Sequence, residues 1–319
     1  MATDQHANQI LQVVETSGLY LLRIDGEEGI GHVLWENGSR ELGRFLKPVL
    51  ATNEPLRKLW ASPSGALWVA SANGSVGTTA EVQWPPMPKG GADYLTLGDS
   101  PKWSSINLPR VGSTGLSPNV TALWGTADDD VYAGAFGGHI ARWDGTSWTQ
   151  VFDGPGKGGG TIYAFGGTAG DVYAVGKDGT ALHFDGSSWK PFSLPGPANG
   201  HEMISGIARM SDGAVVLSCA GNAGRLLRGS AANGFAEVLR APVQLIGMAQ
   251  LGERLLFATG DGVAELVERD VTMIKSNLKT VSISEGKGRV FLIEPTQPLP
   301  QFCEYDPRQT AAPWWRKAF

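Results

Sequence analysis

The 319-residue chain carries a formal net charge of −5 and no run of Lys or Arg, so it lacks the clustered positive charge that phosphate backbones require; we expect no nucleic-acid partner. No apolar stretch approaches the roughly 18 residues that span a bilayer as a helix, and residues 1–9 show no basic end leading into an apolar run, so we expect no membrane association and a cytoplasmic location. Forty-four glycines, eleven tryptophans and only 18% charged residues suit many turns between aromatic-rich strands.

In chain order, residues 1–8 read as a flexible N-terminus, and 9–46 as a first four-strand unit with 19–24 and 32–35 as its middle strands and 36–38 as a turn. A second unit covers 56–108. The next two are nearly superimposable. Residues 120–134 read Val-Thr-Ala-Leu-Trp-Gly-Thr-Ala-Asp-Asp-Asp-Val-Tyr-Ala-Gly and run on to Trp143-Asp-Gly-Thr-Ser-Trp148; the segment from Thr161 to Trp189 follows the same plan. Sliding one over the other by 41 residues needs no gap, and Gly125, Asp130, Val131, Tyr132, Ala133, Gly138, Asp144, Gly145, Ser147 and Trp148 all meet identical partners. A period of about 40–45 residues built of short strands is the mark of a β-propeller blade. Each unit then reads as an apolar inner strand, a turn, two middle strands and an outer strand entered through Asp-Gly. Units at 203–239, 243–275 and 279–319 extend the series. The predicted fold is all-β: one propeller over 9–319 with seven four-stranded antiparallel blades, or six if one terminal piece is an add-on. Cys219 and Cys303 fall in different blades without metal-site spacing and read as two buried thiols.

The second unit is irregular. Its inner and outer tryptophans, Trp60 and Trp103, lie 43 residues apart, against 24 for Trp124 and Trp148. With 94–97 read as its third strand, the excess enlarges a loop at 73–92 between the second and third strands. Loops beyond about 12–15 residues in a compact domain are commonly functional. This one carries Trp84, Met87 and Lys89 among prolines, and Trp is enriched at binding hot spots; the bland reading is that Trp84 folds back onto the sheet. A second-to-third-strand loop shares its face with the connectors between blades, which we place at 47–55, 109–118, 153–160 and 195–201. Arg110, Lys157, His201 and Glu202 supply polar groups there. Together with Trp84, Met87 and Lys89 they form the expected partner-binding set, although glycine-rich connectors are also ordinary packaging.

Signs of catalysis are weak. The stretch Asp153-Gly-Pro-Gly-Lys157-Gly-Gly-Gly160 lacks the Ser or Thr after Gly-Lys, and the following helix, of a phosphate loop. The five histidines show no ligand spacing. Asp128-Asp-Asp130 becomes Ala-Gly-Asp one blade later, which fits a turn rather than a Ca²⁺ site. We expect no catalytic residue, no metal and no cofactor.

The signature Asp-Val-Tyr-Ala followed by Asp-Gly-x-Ser-Trp resembles repeats of bacterial β-propeller proteins. Its closing turn is similar to the Asp-box of sialidase-like and photosystem-assembly-type propellers, with one spacer residue fewer between Asp144 and Gly145 and between Asp185 and Gly186. Trp143-Asp144 and Gly138-His139 are similar to WD40 repeats, with a different spacing. About 75 residues carry the likeness, which implies the fold and transfers no sialidase chemistry. The expected function is a non-catalytic protein-binding module, monomeric on its own, that docks another protein on its loop face. One concrete form is a bacterial toxin-neutralising, immunity-type protein. The alternative is a carbohydrate-binding or hydrolytic propeller that uses its central funnel. A deep polar axis would favour the funnel, and an apolar patch around Trp84 would favour docking.

Overall fold

The computed structural model describes residues 9–24, 31–36, 46–85, 94–98, 101–112, 114–154, 160–196, 202–221, 223–295 and 301–318. Seven antiparallel sheets, each with its strands paired in sequence order, stand around an axis as a β-propeller. Blade 1 comprises Gln9–Glu15, Leu19–Ile24, Gly31–Glu36 and Lys47–Thr52. Blade 2 comprises Leu56–Ala61, Leu67–Ser71, Ser75–Thr78 and Ser104–Asn107. Blade 3 comprises Val120–Ala127, Asp130–Ala135, Ile140–Trp143 and Trp148–Phe152, and blade 4 comprises Ile162–Thr168, Asp171–Gly176, Ala181–Phe184 and Trp189–Pro191. Blades 5, 6 and 7 open on Met203–Arg209, Gly247–Leu251 and Ser282–Glu285 and end on Gly234–Ala241, Asp270–Ser276 and Trp314–Ala318. The first strands touch one another around the axis. Four antiparallel strands return the chain to the face it left. Blade-to-blade connectors and second-to-third-strand loops therefore share a connector face, and the remaining turns share a turn face.

Two expectations are corrected. Residues 47–55 are not a connector: Lys47–Thr52 is the outer strand of blade 1, held in place by buried Val49 and Leu50. The third strand of blade 2 is Ser75–Thr78, not 94–97. This Ser-Val-Gly-Thr strand has no aromatic residue and is fully buried. The long insertion therefore leaves from the turn face, between the third and fourth strands. Its return leg, Tyr94–Thr96, pairs with Lys47–Thr52 as a fifth strand of blade 1 and covers that sheet's open edge. Gly77 makes this possible, because a Cβ there would lie 2.1 Å from the Tyr94 ring. The Tyr94 hydroxyl also meets Ser75 Oγ at 2.9 Å.

The repeated residues work mainly between blades. In blades 2, 3 and 4 the second-strand aromatic packs on the outer-strand aromatic of the next blade: Trp68 on Trp148 at 6.5 Å, Tyr132 on Trp189 at 6.0 Å and Tyr173 on Phe235 at 6.4 Å, all edge-to-face. The turn residues build the hairpins. Asp144 accepts the N–H groups of Thr146 and Ser147 at 2.9 and 2.8 Å, and Asp185 does the same for Ser187 and Ser188 at 3.0 and 2.9 Å. Gly145 and Gly186 take φ values of 88° and 86° in these turns, where a side chain would be strained. Asp128 is a docking residue: it accepts the Trp68 indole N–H at 3.1 Å and the Ser64 hydroxyl at 2.5 Å across the blade 2–3 boundary.

A diagonal ion pair recurs within blades, joining the start of the second strand to the middle of the third. It is Asp130–Arg142 at 2.8 Å in blade 3 and Asp171–His183 at 2.7 Å in blade 4. The signs are reversed in blades 6 and 7, as Arg254–Glu265 at 2.6 Å and Arg289–Glu304 at 3.2 Å. Among the described residues no strand is exchanged to close the ring. Blade 7 meets blade 1 through Arg289–Glu15 at 2.6 Å, the Lys287 N–H on Glu15 at 2.7 Å, and Ser284 Oγ donating to the Val13 carbonyl at 2.6 Å. Cys219 and Cys303 are both buried and form no disulfide with each other.

Two predictions follow from this architecture. The Trp189 indole N–H has no partner among the described residues, so its contribution is packing. Trp189→Ala is expected to cost about 3–5 kcal/mol in a denaturant melt, and Trp189→Phe less than half of that. For the turns, the Thr146 hydroxyl with the N–H groups of Ser147 and Thr146 holds the Asp144 carboxyl below the usual range. Lys190, the Ser187 hydroxyl and two N–H groups do the same for Asp185. A depressed folded value contributes stability that is present above the unfolded pKa of about 3.9 and is lost as pH falls through the folded value. Asp144→Ala combined with Asp185→Ala should therefore lower Tm at pH 7, with the gap to wild type narrowing as melts are repeated from about pH 4 towards pH 2.

Candidate functional site in the axial channel

The first strands of all seven blades enclose an axial cavity of about 830 Å³. Its shape follows from strand register. In blades 1 to 5 the first strand bulges near its start, and the residues just past the bulge are Gln12, Lys58, Ala122, Ala164 and Gly206. All five line the channel. Lys58 thus projects from the wall at a level where blades 3, 4 and 5 carry almost no side chain. Gly206 keeps that side open by necessity, since a Cβ there would lie 2.5 Å from Met248 Cβ.

Two residues further on, the wall carries Trp60 and Trp124 on adjacent blades, with Gly166 and Ala208 on blades 4 and 5. Each indole is half-buried, Trp60 against the blade 2–3 core and Trp124 tilted over Tyr132 at 6.2 Å. Tyr163 lines the wall nearer the connector face.

The charges are polarised along the axis. Glu15, Arg209, Glu253 and Glu285 stand at the turn-face mouth, where the first strands end. Three of these are committed to the ring itself. Glu15 holds Arg289, Arg209 holds Asp171 of blade 4, and Glu285 accepts the Gln250 N–H at 2.6 Å. Burial pushes the Glu285 carboxyl up in spite of that hydrogen bond. Partial burial acts upward on Asp171 as well, but its hydrogen bonds from Arg209 and His183 outweigh it and hold this carboxyl low. Lys58 differs from all of them. Burial lowers its ammonium pKa, and among the described residues no carboxylate pairs with it.

The residues singled out from sequence do not converge. Trp84 is half-buried and turned onto the sheet, 4.9 Å from Trp143 and 6.2 Å from Trp68 between ring centroids. It follows the third strand of blade 2 and so belongs to the turn face. Arg110 and Glu202 are on the connector face. The Arg110 guanidinium donates to the Gly115 carbonyl of its own connector at 2.9 Å. Glu202 holds the buried Arg225 with contacts of 2.7 and 2.5 Å, and Arg225 also bonds Glu237. Met87, Lys89, Lys157 and His201 lie outside the described residues. The wall residues Lys58, Trp60 and Trp124 were not singled out. The signal for them was present, since Leu56-Arg-Lys-Leu-Trp60 aligns on Val120-Thr-Ala-Leu-Trp124 and puts a lysine where the repeat has alanine.

The channel's acidic groups are largely committed to the ring. Two of the three channel carboxylates already accept hydrogen bonds that join blades. The histidine–carboxylate pairs, His183–Asp171 and His139–Asp153 at 2.9 Å, belong to the sheets and their loops and are not among the residues lining the channel. Among the described residues no three His, Cys, Asp or Glu side chains gather closely enough to hold a metal ion.

No protein-family model and no curated protein matches this sequence. Solved structures do resemble it. The chain is similar to a catalytically inactive virginiamycin B lyase from Staphylococcus aureus solved with quinupristin. The two are 14% identical over 91% of this chain and 92% of that one, with a TM-score of 0.60. A puromycin-hydrolysing peptidase from Mycobacterium tuberculosis is 12% identical over 94% of this chain and 51% of that one, with a TM-score of 0.62. YCF48 from Cyanidioschyzon merolae is 10% identical over 83% and 85%, with a TM-score of 0.55. At such identities the likeness establishes the propeller fold and no activity.

Proposed function

We propose that this propeller is a ligand-binding protein whose site is the axial channel, with a small ligand seated against Trp60 and Trp124. The observation that carries this reading is the asymmetry of the wall at that level: two indoles on blades 2 and 3, against glycine and alanine on blades 4 and 5. Flat aromatic surface beside cleared space suits a ring or sugar face, and clefts of roughly 300–1,000 Å³ with few placed polar groups are the usual size for small-molecule sites. Binding without turnover is favoured because Glu15 and Glu285 are tied to the backbone and side chains of neighbouring blades. Trp84, by contrast, is spent on packing.

A second reading keeps protein docking, including the toxin-covering form, on the connector face but without the insertion that carries Trp84. Leu116 and Phe136 are 65% and 57% exposed there, and the Phe136 N–H bonds Asn119 of the connector that also carries Arg110. Exposed large apolar side chains on one face mark an interaction surface.

The two readings predict different losses. A panel of sugars, nucleosides and short acidic or aromatic molecules should include one that raises Tm in wild type and not in the channel-narrowing variant Ala164→Phe. A ligand at about 100 times its Kd adds about 2.7 kcal/mol, or several degrees. Equal behaviour of the two proteins across the panel would remove the channel reading. Under the docking reading, Leu116→Ser with Phe136→Ser leaves Tm within about a degree or two of wild type, as surface changes do. It would abolish co-purification of a partner, and retention of that partner would sink this reading.

A further inference from the structure

We propose that Lys58 is an anion-binding residue, and that the channel ligand carries a carboxylate or phosphate group held on its ammonium with the ligand's flat body towards Trp60 and Trp124. This deepens the channel reading above and rests on it. The geometry carries it in three steps.

First, Lys58 is not required by the blade. The same register position is Ala122, Ala164 and Gly206 in blades 3, 4 and 5, and those blades form the same bulge and pairing. Second, among the described residues no carboxylate pairs with the charge. Gln12, its counterpart in blade 1, gives its side-chain oxygen to the Leu59 N–H at 3.0 Å. The channel's other cation, Arg209, is held by Asp171. Lys58 is half-buried, and a partly desolvated ammonium without a counter-charge is costly, a cost that an incoming anion relieves. Third, the axis is polarised. With Glu15, Glu253 and Glu285 at the turn-face mouth, an anion is repelled from that side and favoured at the level of Lys58. Ala61, at the strand's turn-face end, is three steps along the strand from Lys58, about 10 Å at the usual rise. A small ligand therefore has room to lie with its anionic end at Lys58 and its ring beside the tryptophans.

The lowered pKa of Lys58 adds a sign. Binding needs the protonated amine, so affinity falls as pH rises through the free protein's Lys58 value, earlier than for an ordinary lysine.

The test uses the full chain and intrinsic tryptophan fluorescence, with phenyl phosphate, benzoate and uncharged benzamide as probes. The two anions are expected to perturb wild type and Lys58→Arg, and to bind Lys58→Met about tenfold to a hundredfold more weakly, as charge-assisted hydrogen bonds do. Benzamide should not separate the three proteins. Tighter phenyl phosphate assigns a phosphate ligand, and tighter benzoate a carboxylate. Lys58→Met removes a half-buried charge and keeps the side-chain length, so it should fold; its melt is the check. Anions that bind Lys58→Met as well as wild type, or that leave wild type unperturbed, overturn the proposal. If a panel ligand is lost in Ala164→Phe yet kept in Lys58→Met, the channel reading stands and only the anion site falls.

Discussion

The contact on which this ring depends most visibly is an aromatic one between blades. A blade is a four-stranded sheet that cannot bury both faces alone, so each must lean on its neighbours. Trp68, Tyr132 and Tyr173 on the second strands meet Trp148, Trp189 and Phe235 on the outer strands one blade on. The Val-Tyr-Ala and Ser-Trp pieces of the repeat are thus two halves of one interface, contributed by successive blades. Elsewhere the interface is built from other residues. Between blades 5 and 6 it is mostly aliphatic, with Val216, Leu226, Leu245 and Leu255; between blades 7 and 1 it uses Phe291, Ile293 and Phe302 against Val13 and Leu21.

The ion pairs show the same preference for geometry over residue identity. One diagonal across the second and third strands joins Asp130 to Arg142, and the equivalent diagonal in blade 6 joins Arg254 to Glu265 with the charges exchanged. Coulomb attraction is indifferent to which strand carries which sign, whereas a search for a repeated aspartate is not. In blade 7 the swapped pair also serves closure, because Arg289 reaches both Glu304 within its sheet and Glu15 in blade 1. A ring without strand exchange needs such a clasp at the one boundary where chain connectivity contributes nothing.

These substitutions explain what could be read ahead of the structure. Blades 3 and 4 were legible because they share both the aromatics and the turn aspartates. The outer limits of blades 5 to 7 were legible from the continued period, as the units at 203–239, 243–275 and 279–319. Two features misled. Ser75–Thr78 is a buried strand of small residues, whose place in the sheet is set by the Tyr94 ring lying on Gly77 and by nothing in its own pattern. Lys47–Thr52 begins with lysine and proline, which read as a connector, yet Val49 and Leu50 anchor it as an outer strand. Misplacing the third strand of blade 2 also put the insertion on the wrong face. Trp84 was then grouped with Arg110 and Glu202, from which the fold separates it. The channel was harder to foresee for a physical reason: its wall is built from a few residues of each blade, far apart in the chain, from Gln12 to Gly286, and only the closed ring brings them together.

Lys58 is best understood by comparing what the fold asks of that position with what stands there. Strand register asks only for something small enough to leave the neighbouring first strands undisturbed, and blades 3 to 5 answer with alanine, alanine and glycine. Lysine satisfies the same backbone while adding a charge whose desolvation opposes folding and which no described carboxylate offsets. Two other cations set into this ring have structural partners: Arg225 has Glu202 and Glu237, and Arg289 has Glu15 and Glu304. Where local rules are broken without a compensating contact, the compensation belongs to something outside the chain. In a channel with acidic groups at one mouth and two indoles beside the amine, that something has a negative group and a flat face.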